Sequence, residues 1–317
     1  DSVLLNFADE HDVASNELAN LFLIRCVEMA LKEGGAALVS PQAWTYQPLY
    51  SNFRRKIIGE YGWRFIAKLG AGAFERISGE VVKPVLGFYS QDTSLSEFFG
   101  IDVGGEKGAN RKAQALKSKD IYITDRRSQR QNPDSTVVLE EMANAPNLSR
   151  LAESYQGICT GDSSRFIKLF HEVPDVRDPW ILHQTSPDQT TLFRGRTNIL
   201  KWDSGGGEFH EFLYRRLDNI AAWVRGTEAW GKRGITIKQM GTLDATLYDG
   251  ASFDNNTAVI IPNNPDNLPA LWAFSSSPQY EKYVRLMNQK LNVSNKTLIK
   301  VPFDLDHWQQ VADEKYP

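Results

Sequence analysis

The sequence predicts an α/β fold for its first part and a separate α+β domain for its last part. Between residues 16 and 89, helical and strand-like patterns follow one another in the order helix, strand, helix, strand, strand. Alternating helices and strands build a doubly wound sheet, whereas two successive strands without a helix between them pair as an antiparallel hairpin. From residue 151 the chain is loop-rich with short strand-like runs such as residues 257–262, and a helical pattern follows at residues 280–291; both indicate a domain with its own core.

The first helix and strand follow from hydrophobic periodicity. Residues 16–32 place apolar side chains at helical spacing, and Gly34 and Gly35 provide a stop signal. Residues 36–41 (AALVSP) form a short apolar run between Gly and Pro, which is typical of a buried parallel strand.

A second helix and two further strands complete this part of the chain. Residues 49–61 predict an amphipathic helix, and the runs 63–69 and 81–89 predict the hairpin at the edge of the sheet. A sheet that ends in such a hairpin resembles the end of the catalytic domain of methyltransferases that use S-adenosylmethionine (SAM). Residues 1–92 are therefore interpreted as the second half of such a Rossmann-like sheet.

The loop between the hairpin strands begins LGAGAF and invites a nucleotide-binding interpretation. Gly70 and Gly72 alternate as in a dinucleotide fingerprint, but Glu75 stands at the third glycine position and a strand, not a helix, follows. The loop instead presents Phe74 among small neighbours, and no cofactor-binding residue is visible in the sequence.

Residues 93–150 lack clear periodicity and are rich in Gly, Asn, Gln and positive charge. Two interpretations remain open for this connecting segment. It is a solvated basic linker, or it faces the DNA backbone.

Composition bounds the function only loosely. A net charge of -3 does not exclude a local basic face for DNA, and no apolar run is long enough to span a membrane. Two distant cysteines favour a reducing cytoplasm, and five histidines without metal-ligand spacing predict no metal site. The chain begins with Asp1 and has its first Met at Met29, which suggests a processed or truncated chain.

Six stretches in a fixed order carry a family resemblance. They are "LKEGGAALVSPQAWTYQPLYSNFRRKI", "LGAGAFERISGEVVKPVL", "GICTGDSSRFIKLFHEV", "SGGGEFHEFLYRRLDNIAAWVRG", "KRGITIKQM" and "MNQKLNVSNKTLIKVPF". Together they resemble the adenine-specific DNA methyltransferases of BREX-type phage-defence systems and their relatives among type IIG restriction–modification enzymes. The family's Gly-rich SAM motif and its Asn-Pro-Pro-Tyr/Phe motif are both missing from this sequence.

The resemblance implies a C-terminal portion of a SAM-dependent adenine-N6 methyltransferase. SAM would be bound mainly by the preceding part, and this chain alone would be inactive. Phe74 matches the aromatic residue that stacks on an adenine flipped out of the duplex, although a Phe in a loop also commonly packs against its own sheet.

The resemblance further implies that residues 151–317 form the target-recognition domain. The candidate DNA contacts are basic residues beside Gly-rich loops and aromatics: Arg165, Arg215, Arg216, Arg225, Lys232 and Arg233. Taken singly, each of them is more commonly a solvated charge or part of a surface ion pair, and only their grouping favours DNA contact. Asp162 is predicted to cap a helix and not to act as a catalyst.

The expected partners are double-stranded DNA and other subunits of a restriction or phage-defence complex. The alternative function is a non-catalytic DNA- or protein-binding module of such a complex. The half-sheet interpretation also predicts that the strand at 36–41 exposes an edge that can pair with another chain.

Overall fold

The computed structural model describes residues 2–14, 17–75 and 82–316. The chain folds as two compact units, Asp1–Glu141 and Met142–Pro317. The predicted helix start at Asn16 and strand start at Val81 lie outside the described residues. Among the residues described, none of the helices has the length and apolar character that a membrane span requires.

The first unit is a five-stranded mixed sheet with helices. The helices are α1 (Ser2–Glu10), α2 (Leu18–Met29), α3 (Ser51–Glu60) and α4 (Ala109–Ser118). The strands are β1 (Ala36–Pro41), β2 (Gly62–Lys68), β3 (Pro84–Ser90), β4 (Glu97–Asp102) and β5 (Tyr122–Asp125). The predicted order of helix, strand, helix, strand, strand is present as α2, β1, α3, β2 and β3.

The predicted hairpin forms, but it lies inside the sheet and not at its edge. The strand order is β1-β3-β2-β4-β5, with β3 antiparallel to both β1 and β2, and β2 parallel to β4. The segment expected to be a linker supplies β4, α4 and β5, so the first compact unit extends to Glu141 and not to residue 92. Strands β1, β2 and β4 point the same way, and their carboxyl ends share one edge of the sheet.

Strand β1 is an edge strand and not the buried parallel strand that its apolar run predicted. Its strand partner among the described residues is β3, to which it is antiparallel. Alternate side chains therefore face away from the core, and Val39 is 62% exposed. An apolar run alone does not distinguish a central strand from an edge strand.

Aromatic packing closes the core of the first unit. Trp63 on β2 is fully buried and makes edge-on contacts with Trp44, Tyr89 and Phe98, at ring-centroid distances of 6.0, 6.1 and 5.3 Å. Such tilted pairs stabilise a core beyond their buried area.

A buried arginine fixes the turns around helix α3. Arg54 is fully buried and donates hydrogen bonds to the carbonyl oxygens of Trp44, Gln47, Asp134 and Ser135 at 2.6–3.1 Å. Burial lowers the pKa of Arg54 to about 10. The sequence predicted an amphipathic helix that contains Arg54. In the structure its guanidinium N–H groups donate to backbone carbonyl oxygens in the interior.

The second unit contains two four-stranded sheets and six helices among its described residues. The helices are α5 (Ser163–Phe166), α6 (Gly207–Tyr214), α7 (Leu268–Ser275), α8 (Pro278–Met287), α9 (Asn295–Leu298) and α10 (Leu305–Lys315). The strands are β6 (Ala152–Gln156), β7 (Ile167–Leu169), β8 (Trp180–Gln184), β9 (Asn198–Lys201), β10 (Gly234–Lys238), β11 (Ala245–Tyr248), β12 (Ser252–Phe253) and β13 (Thr257–Pro262). The sheet orders are β11-β10-β13-β6 and β12-β8-β9-β7.

Strand β13 confirms the strand predicted at 257–262. All six of its residues are buried, because it lies between β10 and β6 in the first of these sheets. The helix predicted at 280–291 is α8, which ends earlier, at Met287. Asp162 caps α5 as predicted, since its Oδ1 accepts from the Arg165 backbone N–H at 3.2 Å.

Candidate nucleic-acid interface

Three loops of the first unit meet at the carboxyl edge of its sheet. Gln42 follows β1, residues 69–75 follow β2, and Val103 and Gly104 follow β4. The Gly70 N–H donates to Gln42 Oε1 at 3.1 Å. A Cβ atom at Gly70 would lie 2.7 Å from the α-carbon of Gly104, so the backbones of the second and third loops touch directly.

The two glycines of the LGAGAF loop share a backbone conformation but differ in the space around them. Gly70 and Gly72 have φ of +66° and +71°, a region that favours glycine. The space beside Gly70 is filled by Gly104, whereas the nearest atom to a Cβ at Gly72 would be 3.9 Å away. Gly70 therefore allows the backbone of Gly104 to approach closely.

Phe74 is presented by this loop with a side chain that is 41% exposed. A buried Phe would have indicated a purely structural role, and this one leaves part of its ring accessible. Residues 76–81, which follow it, lie outside the described part of the chain.

Two basic residues of the segment 93–150 do not face a nucleic acid. Lys112 is buried and donates to the carbonyl oxygens of Leu69, Val103 and Gly104 at 2.6, 3.0 and 3.3 Å. Arg126 is also buried and donates to the carbonyl oxygen of Tyr61 at 3.0 Å. The remaining basic side chains between residues 107 and 130 are exposed.

The second unit brings three of the predicted arginines together. Arg165 on α5 and Arg215 and Arg216 at the end of α6 line a pocket of about 250 Å³ with Phe212. The guanidinium carbon of Arg216 lies 3.8 Å from the Phe212 ring centroid, and that of Arg165 lies 5.3 Å from it. The aromatic ring thus holds two guanidinium groups at the surface. We call this set the arginine cluster.

Acidic side chains on α6 orient the arginine cluster. Glu208 accepts from Arg165 Nε at 2.7 Å and also from Arg165 Nη2 and Lys201 Nζ. The pKa of Glu208 lies below its usual value, mainly because Lys201 donates a hydrogen bond to the carboxylate and, next in importance, because Arg165 does so. The carboxylate is therefore ionised at neutral pH. One helical turn later, Glu211 lies 3.6 Å from Arg215.

The other predicted basic residues lie outside this pocket. Arg225 is partly buried and donates to Gln156 Oε1 at 2.8 Å. Lys232 and Arg233 are exposed in the turn that precedes β10. Their charge is available at the surface.

The second unit also contains an aromatic–arginine pair outside the arginine cluster that the sequence motifs did not single out. In the loop between β8 and β9, the guanidinium carbon of Arg196 lies 4.8 Å from the ring centroid of Phe193. Phe193 is 64% exposed, and Arg196 is anchored to Asp249 at 2.9 Å. The run FRGR, which contains Gly195, was the signal that could have identified it.

The buried histidine of the second unit has a structural role. Burial lowers the pKa of His183 to about 4, and its Nδ1 lies 2.9 Å from Ser252 Oγ. This histidine is neutral and structural at physiological pH. Within the described ranges, His, Cys, Asp and Glu side chains form no group of three that could hold a metal ion.

The fold is similar to that of a solved restriction–modification enzyme. It superposes on the type IIL restriction–modification enzyme MmeI, solved in complex with DNA, with a TM-score of 0.55 and 12% identity, covering 93% of this chain and 43% of that one. A weaker superposition, with a TM-score of 0.48 and 11% identity, is found with the type ISP enzyme LlaGI. No protein-family model matches the sequence.

In sequence, the chain is a distant homologue of the adenine-specific methyltransferase PglX of Lacticaseibacillus casei (strain Zhang). The two are 22% identical over 353 aligned positions, which cover 98% of this chain and 28% of the relative. The chain therefore spans about a quarter of the length of this curated relative. Both findings agree with the resemblance drawn from the six stretches.

Proposed function

We propose that this chain forms part of a SAM-dependent DNA methyltransferase that modifies the N6 amine of an adenine flipped out of duplex DNA. The observation that carries the proposal is the sequence similarity to an adenine-specific methyltransferase along 98% of the chain. In this proposal the first unit supplies the end of the catalytic domain, and the second unit recognises the target sequence.

The position of Phe74 supports this role for the first unit. Ligands of open α/β sheets bind outside the carboxyl ends of the strands, and the Phe74 loop follows β2 at that edge. Flipping a base costs a few kcal/mol of lost stacking and pairing, which an aromatic side chain partly offsets. Stacking on Phe74 would contribute about 1–3 kcal/mol.

In the proposal SAM is bound mainly outside this chain. The glycine loop lies against the backbone of Gly104 at Gly70. In the proposal SAM supplies the methyl group, and the residues of this chain contribute base stacking and DNA contacts.

The arginine cluster supports a DNA-contacting role for the second unit. Its guanidinium groups are partly exposed, held on an aromatic face and oriented by a carboxylate. Arginine in such a setting can bind a phosphate or the edge of a guanine in a bidentate manner. Lys232 and Arg233 are suited to contacts with the DNA backbone.

The test is transfer of labelled methyl from SAM to plasmid DNA by the product of the complete reading frame. Phe74→Ala should lower kcat about 5- to 150-fold, the factor that corresponds to lost stacking of about 1–3 kcal/mol. Phe88→Ala is the matched control, because Phe88 is also 41% exposed but lies within β3. It should stay within about threefold of the unmodified protein.

Two results would count against the proposal. Equal losses for Phe74→Ala and Phe88→Ala would remove the stacking role of Phe74. Absence of methyl transfer with retained DNA binding would favour the alternative, a non-catalytic DNA- or protein-binding module.

A further inference from the structure

The Phe74 loop is attached to the sheet by a buried ammonium group. Lys112 lies in the first turn of α4, yet its Nζ reaches back to the ends of β2 and β4. It donates to Leu69 O at 2.6 Å, to Val103 O at 3.0 Å and to Gly104 O at 3.3 Å. One side chain therefore connects the first residue of the Phe74 loop to the loop after β4.

The geometry uses the full capacity of the lysine. An ammonium group has three N–H donors, and here three carbonyl oxygens accept them. Lys112 is only 2% exposed, so it is not available to a phosphate. A buried charge held by carbonyl dipoles fixes the backbone around it, because without the ammonium the carbonyls of Leu69 and Gly104 would lose this donor in a desolvated site, whereas Val103 O also accepts from the Glu106 N–H at 3.1 Å.

A second side chain holds the same loop from the β1 side. Gln42 is fully buried, and its Oε1 accepts from the Gly70 N–H at 3.1 Å. Lys112 thus binds the carbonyl of Leu69 while Gln42 binds the next N–H along the chain. The loop leaves the sheet between these two contacts, four residues before Phe74.

We infer that Lys112 and Gln42 are positioning residues that set the direction in which the Phe74 loop leaves the sheet, so that Phe74 meets the flipped base. This inference rests on the proposed function, because it needs Phe74 to stack on a substrate base. Neither residue touches the substrate in this scheme. Both act through the backbone of residues 69 and 70.

The first experiment is a double-mutant cycle in the complete reading-frame product, read by methyl transfer to plasmid DNA. Lys112→Met removes the three donors at similar length, and Lys32→Met is the matched control, because Lys32 is exposed in the turn after α2. Lys112→Met should lower kcat about tenfold and leave KM for DNA within about threefold, because only the alignment of the base is lost. Lys32→Met should change neither value.

The cycle with Phe74→Ala separates positioning from general damage. If Lys112 acts through Phe74, the double variant should be no slower than Phe74→Ala alone. If the kcat losses of the two single variants multiply in the double variant, the inference is overturned and the proposed function stays intact. No effect of Phe74→Ala by itself would overturn both.

A second measurement covers the case in which Lys112→Met does not fold. Gln42→Met keeps the side-chain length and removes the acceptor for Gly70, and it should show the same non-additivity with Phe74→Ala. In Gln42→Met, backbone amide hydrogen exchange should be at least about tenfold faster at residues 69–74 than in the unmodified protein, and it should be unchanged in β2 and β3. Unchanged exchange in the loop, or equal acceleration throughout the sheet, would overturn the inference.

Discussion

Replacing Glu208 by Gln separates two contributions of the arginine cluster to DNA binding. Glu208 accepts two hydrogen bonds from the Arg165 guanidinium, and Lys201 shares the same carboxylate. The substitution removes one negative charge from the cluster and leaves Arg165 a neutral amide oxygen as acceptor, so its orientation is held less firmly. Non-specific and specific binding should therefore change in opposite directions.

The electrostatic effect is favourable and small. A unit charge about 7 Å from a phosphate contributes about 0.6 kcal/mol in water, and salt near 0.1 M reduces this by about half. With two or three phosphates nearby, removal of the carboxylate should tighten non-specific binding on the order of threefold. The effect should decline as salt is raised.

The orientation effect is unfavourable and confined to the target sequence. A less firmly held Arg165 must be ordered on binding, which costs up to about 0.5–1.5 kcal/mol, or up to about 2- to 12-fold in affinity. Only a correctly placed base edge needs that geometry, so the ratio of specific to non-specific affinity should fall by this factor. A phosphate contact tolerates the looser side chain.

The assay compares Glu208→Gln with Glu211→Gln by titrating target and non-target duplexes at two salt concentrations. Glu211 lies on the same helix and loses the same charge, but its 3.6 Å contact is with Arg215, which is 80% exposed. Both variants should tighten non-specific binding, and only Glu208→Gln should lose specificity. An equal ratio of specific to non-specific affinity in the two variants would refute the argument from orientation. Unchanged affinity for DNA in both variants would show that the arginine cluster does not contact DNA.

Two further predictions concern buried cations of the first unit. Burial lowers the pKa of Lys68 from 10.5 to about 8, so the folded state releases this proton at lower pH than the unfolded state. Stability should rise with pH between these values, and the unfolding free energy of the unmodified chain should gain about 2 kcal/mol relative to Lys68→Met from pH 7 to 9.5. If the difference in unfolding free energy between the unmodified chain and Lys68→Met, measured with denaturant, stays constant over this pH range, the prediction is wrong. Arg54→Lys keeps the charge, but one ammonium cannot reach four carbonyl oxygens, and the loss should be on the order of 3 kcal/mol by urea unfolding. A cost below about 1 kcal/mol would show that water or a shift of the turns replaces the guanidinium.

The order of elements in the first unit followed from the sequence because it depends on local periodicity. The helical spacing of 16–32 and the strand pair around the Phe74 loop are both local signals, and both elements are present. The neighbours of a strand depend on residues far along the chain. The run AALVSP could not reveal that β3 is its strand partner, and the glycine- and lysine-rich segment concealed β4 and β5.

The arginine cluster was only half visible in the sequence for a similar reason. Arg215 and Arg216 follow a helix on which Glu208, Glu211 and Phe212 share one face, and this spacing can be recognised from the sequence. Arg165 joins them from α5, about forty positions earlier, and only the fold brings its guanidinium to Glu208.

Basic residues in this chain divide into two classes that the sequence does not separate. Arg54, Lys68, Lys112 and Arg126 are nearly inaccessible and donate to backbone carbonyl oxygens. Their charges hold turns in place and are too desolvated to release counterions from DNA, so they should add nothing to a salt-dependent affinity. In the proposed function, attraction to DNA must therefore come from exposed groups such as the arginine cluster. For this reason the net charge of -3 and the density of lysines in one segment are poor guides to the DNA-facing surface.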